Sequence, residues 1–159
     1  MVNHLALIGC GLMGGSFAMA LKRANVVNRI VGYSKSPLTT ERACKMGIID
    51  QAAESALLAV SGADVVLLAV PVAATEQTLK NIHPLIEPHM LVMDVGSTKR
   101  DVVDVARRVL KEKLPSFVPA HPIAGKELSG IQHADAALFE GRQVILTPLA
   151  RTQPEHVRR

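Results

Sequence analysis

The stretch ALIGCGLMGGS, residues 6–16, decides the fold that we predict for this chain. It follows an apolar segment, precedes a helical pattern and spaces three glycines as G-x-G-x-x-G. In that setting the first glycine allows a tight turn, the second lets a pyrophosphate approach the backbone, and the third lets helix and strand pack closely. The N–H groups at the helix start then face the phosphates. A glycine-rich turn without a ligand is the alternative. The predicted dinucleotide contacts are Gly9, Gly11, Leu12, Met13 and Gly14.

Apolar runs and helical patterns alternate along the rest of the chain. The predicted strands are HLALI (4–8), RIVGY (29–33), a short segment entered through Ile48 and Ile49, DVVLLAV (64–70), MLVMDV (90–95), SFVPA (116–120) and QVILTP (143–148). The predicted helices cover residues 14–24, 37–46 (closed by Gly47), 55–60 and 74–83, and a long one begins at Thr98 in a capping box and ends near residue 113. This order predicts an α/β fold of the Rossmann type, a doubly wound, mostly parallel sheet with helices on both faces.

Length and composition fit one folded domain with one core. The chain has 159 residues, of which 48% are apolar and only 3% aromatic, a mixture suited to small side chains packed between helices and a sheet. The longest uninterrupted apolar run covers residues 65–70, too short to span a bilayer, and the start of the chain has no signal-peptide pattern. Two cysteines do not make a disulfide framework. We therefore expect a cytoplasmic, reduced protein with no membrane partner.

Charge points to small anionic ligands. The formal net charge is +4, and the basic residues are dispersed rather than gathered into a patch with interleaved aromatics. This distribution argues against a nucleic-acid partner and is compatible with attraction for phosphates and carboxylates. The histidines form no H-x-x-x-H or Cys/His cluster, so we predict no metal site.

The last residues carry a helix-start pattern. Thr152 as cap, Pro154 in the first turn and Glu155 three residues after the cap predict a helix, and the sequence ends four residues later. We predict a dinucleotide-binding domain over residues 1–150, with residues 151–159 beginning a connection to a further domain. A frayed tail is the alternative.

The choice between the two nicotinamide dinucleotides depends on the end of the second strand. A carboxylate there would bind the ribose 2′-hydroxyl of NAD, but the residue is Ser34. Lys35 is adjacent and Arg42 lies one or two helical turns further, and a hydroxyl beside a cation suits a phosphate monoester. These residues favour NADP, with NAD as a possible cofactor, unless Lys35 is only a solvated charge.

Chemistry-bearing residues follow several strands. In a parallel sheet the carboxyl ends of the strands line the ligand crevice, and Val70, Pro71, Ser97 and His121 lie at such ends. A histidine there could accept a proton from an alcohol as hydride leaves, and Ser97 could hydrogen-bond the same oxygen. A serine before a helix is often only a cap, although Thr98 can take that role instead. Cys10 has no evident base beside it and is interpreted as a packing residue.

Five segments together resemble the prephenate/arogenate (cyclohexadienyl) dehydrogenase family of tyrosine biosynthesis. They are GCGLMGGS, LLAVPV, DVGSTK, HPIAGKELSG and LFEGRQVILTP, and they cover nearly all of the chain. The resemblance implies that His121 is catalytic and contacts the ring hydroxyl of the substrate, that Ser97 contacts the same hydroxyl, and that Glu127 lies at the site entrance. It also implies a C-terminal helical domain that forms a homodimer and carries an arginine for the substrate carboxylate, so residues 1–159 alone are expected to be inactive.

The implied reaction is oxidative decarboxylation of prephenate to 4-hydroxyphenylpyruvate, or of arogenate to tyrosine. Two alternatives remain open from the sequence. A β-hydroxyacid dehydrogenase also begins with a GLMG-like loop, but it would use a lysine in a helical domain and would not need the HPIAG segment. A nucleotide-sensing module without chemistry would need only the phosphate loop, and it would leave His121 and Ser97 without a role.

Overall fold

Six parallel strands form the centre of the structure, a computed structural model that describes residues 1–159. The strands are β1 (Val2–Ile8), β2 (Val27–Tyr33), β3 (Gln51–Ala52), β4 (Val65–Leu68), β5 (Leu91–Asp94) and β6 (Phe117–Val118). Their order across the sheet is β3-β2-β1-β4-β5-β6, and every neighbouring pair is parallel. The carboxyl ends of all six strands therefore lie along one edge. The predicted doubly wound sheet is confirmed.

Helices cover both faces of this sheet. They are α1 (Leu12–Arg23), α2 (Pro37–Lys45), α3 (Ala56–Val60), α4 (Val72–Ile82), α5 (Lys99–Leu110) and α6 (Pro154–Arg158). None of them combines the length and the apolar character that a membrane span requires. Single 3₁₀ turns lie at His83–Leu85 and Ile131–His133, and a longer 3₁₀ segment covers Lys111–Ser116.

Side chains point alternately to the two faces of the sheet, so the hydrophobic core has two parts. Leu5 and Leu7 of β1 pack with Ala18 of α1 and Ala43 of α2 on one face. On the other face Ala6 and Ile8 pack with α3, α4 and α5 through Ala59, Leu79 and Ala106, among others. Successive side chains of a strand point to opposite faces, so one apolar strand supplies both cores. This is why the central strands read as continuous apolar runs.

The predicted third strand begins later than expected. Ile48 and Ile49 are buried but lie before the strand, and β3 is the pair Gln51–Ala52. The N–H of Ile48 bonds to the carbonyl of Ala43 at 2.9 Å, which keeps this residue in the turn that closes α2. The predicted closing residue, Gly47, has φ +71° in that turn. The two isoleucines were predicted as strand because burial alone does not distinguish a turn from a strand.

The late strands leave the main sheet. SFVPA divides at Pro119, with Phe117–Val118 in β6 and the next residues in a separate strand, β7 (Ala120–Pro122). β7 pairs antiparallel with β8 (Val144–Leu146), so QVILTP is not a strand of the parallel sheet. His121 thus lies inside β7, opposite Ile145, rather than at the end of a parallel strand. Proline lacks the N–H that would continue the ladder, which accounts for the division.

Two predicted helix caps are also wrong in detail. Thr98 occupies the N-cap position of α5 but its side chain makes no capping hydrogen bond, and Asp101 lies in the first turn without completing a capping box. The helix before the chain end begins at Pro154, with Gln153 rather than Thr152 as its N-cap. The Thr152 hydroxyl instead donates to the carbonyl of Phe117 at 3.1 Å and accepts from the N–H of Leu149 at 2.9 Å. The hydroxyl predicted to cap the helix is therefore used in tertiary hydrogen bonds.

Candidate active site

The glycine loop joins β1 to α1 as a cradle with one open position. Gly9 has φ +99°, and a Cβ on it would lie 2.4 Å from the carbonyl oxygen of Ala69. A Cβ on Gly14 would lie 2.2 Å from the carbonyl oxygen of Gly9, so both positions exclude a side chain. A Cβ on Gly11 would meet nothing within 4 Å. The backbone is therefore packed closely at two glycines and accessible at the third, as a phosphate approaching Gly11 requires.

The start of α1 offers free hydrogen-bond donors. Gly11 is its N-cap, no side chain caps the helix, and its first turn contains no acidic residue. The first N–H groups of a helix have no partner within the helix, and the helix dipole adds positive charge there. Leu12 and Met13 belong to this first turn. These residues fit the pyrophosphate of a dinucleotide.

Ser34 is attached to the glycine loop. Its hydroxyl oxygen accepts a hydrogen bond from the N–H of Cys10 at 2.8 Å, and the N–H of Gly9 donates to the carbonyl of Tyr33 at 2.8 Å. The hydroxyl proton of Ser34 stays available for a ligand. Cys10 itself is buried, and burial raises the pKa of its thiol to about 11, so it remains a neutral packing group.

The two cations predicted for a 2′-phosphate border different cavities. Lys35 lines a cavity of about 560 Å³ together with Ser34 and the carboxylates Glu41 and Glu54. Arg42 lines a second cavity of about 240 Å³ with Gly11. Both cavities adjoin the glycine loop, through Ser34 in the first and Gly11 in the second. Ser34 and Lys35 thus line the first cavity and Arg42 lines the second.

The segment after His121 returns to the glycine helix, which the sequence did not predict. Gly130, Ile131 and Gln132 share the second cavity with Arg42. A Cβ on Gly15 would lie 2.3 Å from the Ile131 side chain, and the Ser16 hydroxyl accepts from the N–H of Asp135 at 2.9 Å. The only sequence signal was the second glycine of GGS, whose lack of a side chain leaves room for this segment.

Val70 and Pro71 follow β4 at the same edge. The N–H nitrogen of Val70 lies 3.1 Å from the position of a Cβ on Gly9, so this segment borders the cradle directly. Pro71 is exposed and occupies the N-cap position of α4. Both predicted residues thus lie beside the glycine loop.

Ser97 and His121 are brought to one edge through the residues that precede them. Asp94, the last residue of β5, accepts a hydrogen bond at Oδ1 from the N–H of Ala120 at 3.0 Å. Ser97 comes three residues after Asp94 and is exposed, and His121 comes directly after Ala120 and is half-buried. Glu127 is exposed in the segment beyond β7. No group of three or more His, Cys, Asp or Glu side chains is arranged to hold a metal ion.

Sequence reasoning missed the pair Asp94 and Lys99. Lys99 forms an ion pair with the buried Asp94 and donates to the carbonyl of Ala120 at 2.7 Å. Burial lowers the pKa of Lys99, and its hydrogen bond and charge interaction with Asp94 oppose that shift. The available signal was the lysine in DVGSTK, a cation in the first turn of a helix where the dipole disfavours it.

Comparison with known proteins shows which family the chain belongs to. A sequence profile of the family described as "Prephenate dehydrogenase, nucleotide-binding domain" matches residues 17–159. The chain belongs to the prephenate dehydrogenase family. The match begins after the glycine loop, so it is independent of the motif that many dinucleotide-binding proteins share.

Individual relatives of the prephenate dehydrogenase family agree with the profile. The chain is 40% identical to the prephenate dehydrogenase of Bacillus subtilis (strain 168) over 158 residues, which is 99% of this chain and 42% of the relative. It superposes on the crystal structure of the prephenate dehydrogenase from A. aeolicus in complex with hydroxyphenyl propionate and NAD+ with a TM-score of 0.90 and 34% identity, covering 99% of this chain and 55% of the other. The Synechocystis arogenate dehydrogenase gives a TM-score of 0.87 and 29% identity, with 98% and 53% covered. The chain thus spans about half the length of these relatives.

Proposed function

We propose that this chain is the nucleotide-binding part of an NAD(P)-dependent enzyme that oxidatively decarboxylates prephenate, arogenate or both. The observation that supports the proposal is that the glycine cradle follows β1, while Ala120, the residue before His121, bonds to Asp94 at the carboxyl end of β5 in the same sheet. The family membership supports the same reaction. A β-hydroxyacid dehydrogenase is not favoured, since the profile that matches is that of prephenate dehydrogenases.

Different residues of the chain contribute to different parts of this reaction. The N–H groups at the start of α1 would bind the pyrophosphate, and Val70 and Pro71 would border the bound dinucleotide. A bound nicotinamide would supply the acceptor for the hydride of the ring carbon that bears the hydroxyl. His121 takes the proton of that hydroxyl, and Ser97 hydrogen-bonds the same oxygen. As carbon dioxide leaves, the electron pair of its bond completes the aromatic ring, and the resulting phenolate recovers the proton from His121.

Aromatisation determines what the protein must contribute. Because the aromatic product is much more stable than the diene, the site needs to orient the ring carbon toward the nicotinamide and to polarise the hydroxyl. A half-buried imidazole and an exposed serine hydroxyl are suited to these tasks. Glu127, in the exposed segment after β7, is proposed to lie at the entrance of the site.

NADP is the proposed preference between the two cofactors. Ser34 leaves no carboxylate at the end of β2 to repel a 2′-phosphate, and Lys35 and Arg42 supply positive charge in the two adjoining cavities. Glu41 and Glu54 line the cavity of Lys35 and oppose an additional phosphate. We therefore expect NADP to bind more tightly than NAD, with NAD still accepted.

The remaining parts of the proposal concern the complete gene product. We propose that it contains a C-terminal helical domain, as the family resemblance implies, forms a homodimer and resides in the cytoplasm. Residues 1–159 alone are expected to bind the dinucleotide but not to turn over substrate, since the substrate carboxylate needs a partner from that domain.

Turnover by the complete gene product tests the proposed function. Dinucleotide reduction is followed with prephenate and with arogenate, for the unchanged protein and for His121→Asn. His121→Asn is expected to lower kcat by about 100-fold or more while the dinucleotide Kd stays within about twofold. Dinucleotide binding without turnover on either substrate would favour a nucleotide-sensing module. Full turnover by His121→Asn would remove the histidine from the mechanism.

A further inference from the structure

We propose that Asp94 and Lys99 act together as a clamp on the backbone of Ala120 that positions His121, and through the adjoining turn Ser97, for the reaction. The inference rests on the proposed function, since it assigns a role to residues that act only through His121 and Ser97. Asp94 and Lys99 are positioning residues, and neither is proposed to touch the substrate.

Both backbone groups of Ala120 are held by the clamp. The N–H of Ala120 donates to Asp94 Oδ1 at 3.0 Å, and its carbonyl accepts from Lys99 Nζ at 2.7 Å. Ala120 is completely buried, and it directly precedes His121. With both of its polar groups fixed by charged partners, the peptide that leads into His121 has little freedom to rotate.

The other oxygen of Asp94 holds the turn before Ser97. Asp94 Oδ2 accepts from the N–H of Gly96 at 3.0 Å and also contacts Lys99 Nζ. A Cβ on Gly96 would lie 3.0 Å from that oxygen, so the turn is tight against the carboxylate. One carboxylate therefore links the peptides that precede both proposed catalytic side chains.

The strand that carries His121 needs such support. β7 has three residues and pairs only with β8, whose three residues are all exposed. A two-stranded pair of this length is marginal by itself in water. The Asp94 carboxylate and the Lys99 ammonium connect β7 to the end of β5, which is buried in the main sheet.

The position of Lys99 is costly for the fold, which argues for a specific role. Lys99 is the first residue of α5, where the helix dipole disfavours a cation, and only 17% of its side chain is exposed. A buried ion pair rarely adds net stability over apolar side chains of similar volume. What these contacts can supply instead is a fixed position for the neighbouring strand β7.

Lys99→Met in the complete gene product tests the clamp. It removes both hydrogen bonds of the ammonium but keeps the length and apolar stem of the side chain. We expect kcat to fall by about 10- to 100-fold because the imidazole is displaced, while the dinucleotide Kd stays within about twofold. Lys99→Arg, which keeps the charge and donors, should recover part of the loss. Arg107→Met removes a charge from an exposed position of the same helix and is the matched control.

The possible outcomes separate the clamp from the proposed function. Turnover of Lys99→Met equal to that of Arg107→Met would overturn the clamp, and so would an equal loss of turnover and of dinucleotide affinity, which would indicate a general structural role. If Lys99→Met does not fold, Lys99→Gln retains a donor and is measured in its place under the same criteria. A deficient His121→Asn beside a fully active Lys99→Met would leave the proposed function intact and remove only the clamp. Full activity in both would remove the proposed role of His121 together with the clamp, whereas no turnover of either substrate by the unchanged protein would remove the proposed function.

Discussion

At the scale of single residues, Gly9 and Gly11 are glycine for different reasons. Gly9 has a positive φ and no room for a Cβ against the Ala69 carbonyl, so its role is in the fold. Gly11 has ordinary φ and open space around its Cβ position, so nothing in the protein requires a glycine there. The space at Gly11 is reserved for a ligand if the cradle binds a pyrophosphate.

Alanine substitutions at the two glycines should therefore have separable effects. Gly11→Ala should keep the unfolding temperature near that of the unchanged chain but weaken dinucleotide binding by about 10-fold or more, through lost hydrogen bonds to phosphate. Gly9→Ala should destabilise the fold by at least about 2 kcal/mol because of backbone strain and overlap. Calorimetric titration and thermal unfolding of residues 1–159 measure both. Unchanged dinucleotide affinity in a folded Gly11→Ala protein would contradict the cradle.

Ser34 is the residue at which cofactor preference can be reversed. Ser34→Asp keeps an oxygen that can accept from the N–H of Cys10, and it adds the carboxylate that a 2′-phosphate would meet. The Kd of NADP should rise by about 10-fold or more through like-charge repulsion, while NAD binds at least as well as before. Titration of both dinucleotides, with Lys45→Met as an exposed control of unchanged preference, measures the ratio. Equal losses of affinity for NADP and for NAD would indicate that the ribose 2′-position does not lie beside residue 34.

At the scale of elements, caps and strand ends were harder to predict than strands and helices. The alternating pattern identified α1 to α5 and the central strands, because burial on both faces produces continuous apolar runs. It did not show that SFVPA divides at Pro119 or that QVILTP leaves the main sheet, since the partner of a strand is not encoded in its own period. Nor could it show that Thr152 bonds to Phe117, a residue 35 positions away.

The two threonines give a matched test of these element ends. Thr152→Val should lower the free energy of unfolding by about 1–2 kcal/mol, because it removes a buried hydroxyl that bonds to Phe117 and Leu149. Thr98→Val makes the same chemical change at an exposed N-cap whose side chain makes no capping bond, and its effect should stay below about 0.5 kcal/mol. Urea unfolding of both variants measures the difference. A larger loss of unfolding free energy for Thr98→Val than for Thr152→Val would indicate that the Thr98 side chain caps α5.

At the scale of the whole molecule, the sequence predicts an edge of the sheet as the site but does not predict the contacts at that edge. The glycine spacing and strand order favour one sheet edge, because parallel strands end on the same side. The contacts that organise this edge join residues far apart in sequence: Ser34 to Cys10, Asp94 to Ala120 and Asp135 to Ser16. Such pairings depend on the folded arrangement, and no local pattern announces them.

Stability of the whole chain should decline in acid. Burial would raise the pKa of Asp50, but hydrogen bonds from Lys22 and from the N–H of Ile30 lower it overall, and hydrogen bonds from the first strand likewise lower the pKa of Asp64 against the effect of its burial. A carboxyl whose pKa is lower when folded stabilises the protein above its ordinary value of 3.8, and this stabilisation is lost as pH falls through the folded value. The urea midpoint should therefore drop from pH 6 to pH 3.

Asn substitutions separate this effect from general acid unfolding. Asp64→Asn should reduce the difference between the two urea midpoints, because an amide does not titrate, whereas Asp104→Asn on α5 should leave it unchanged. A pH dependence that is the same in Asp64→Asn and the unchanged chain would assign the acid sensitivity to other groups.

We expect the glycine cradle and His121 to open into one cleft. A crystal structure of the chain with NADP bound would show whether they do. We expect the pyrophosphate at the start of α1 and the nicotinamide beside Ser97 and His121, with room for one substrate ring between nicotinamide and imidazole. An imidazole turned into the protein interior, or a nicotinamide too far from it for a substrate oxygen to reach both, would rule out this cleft.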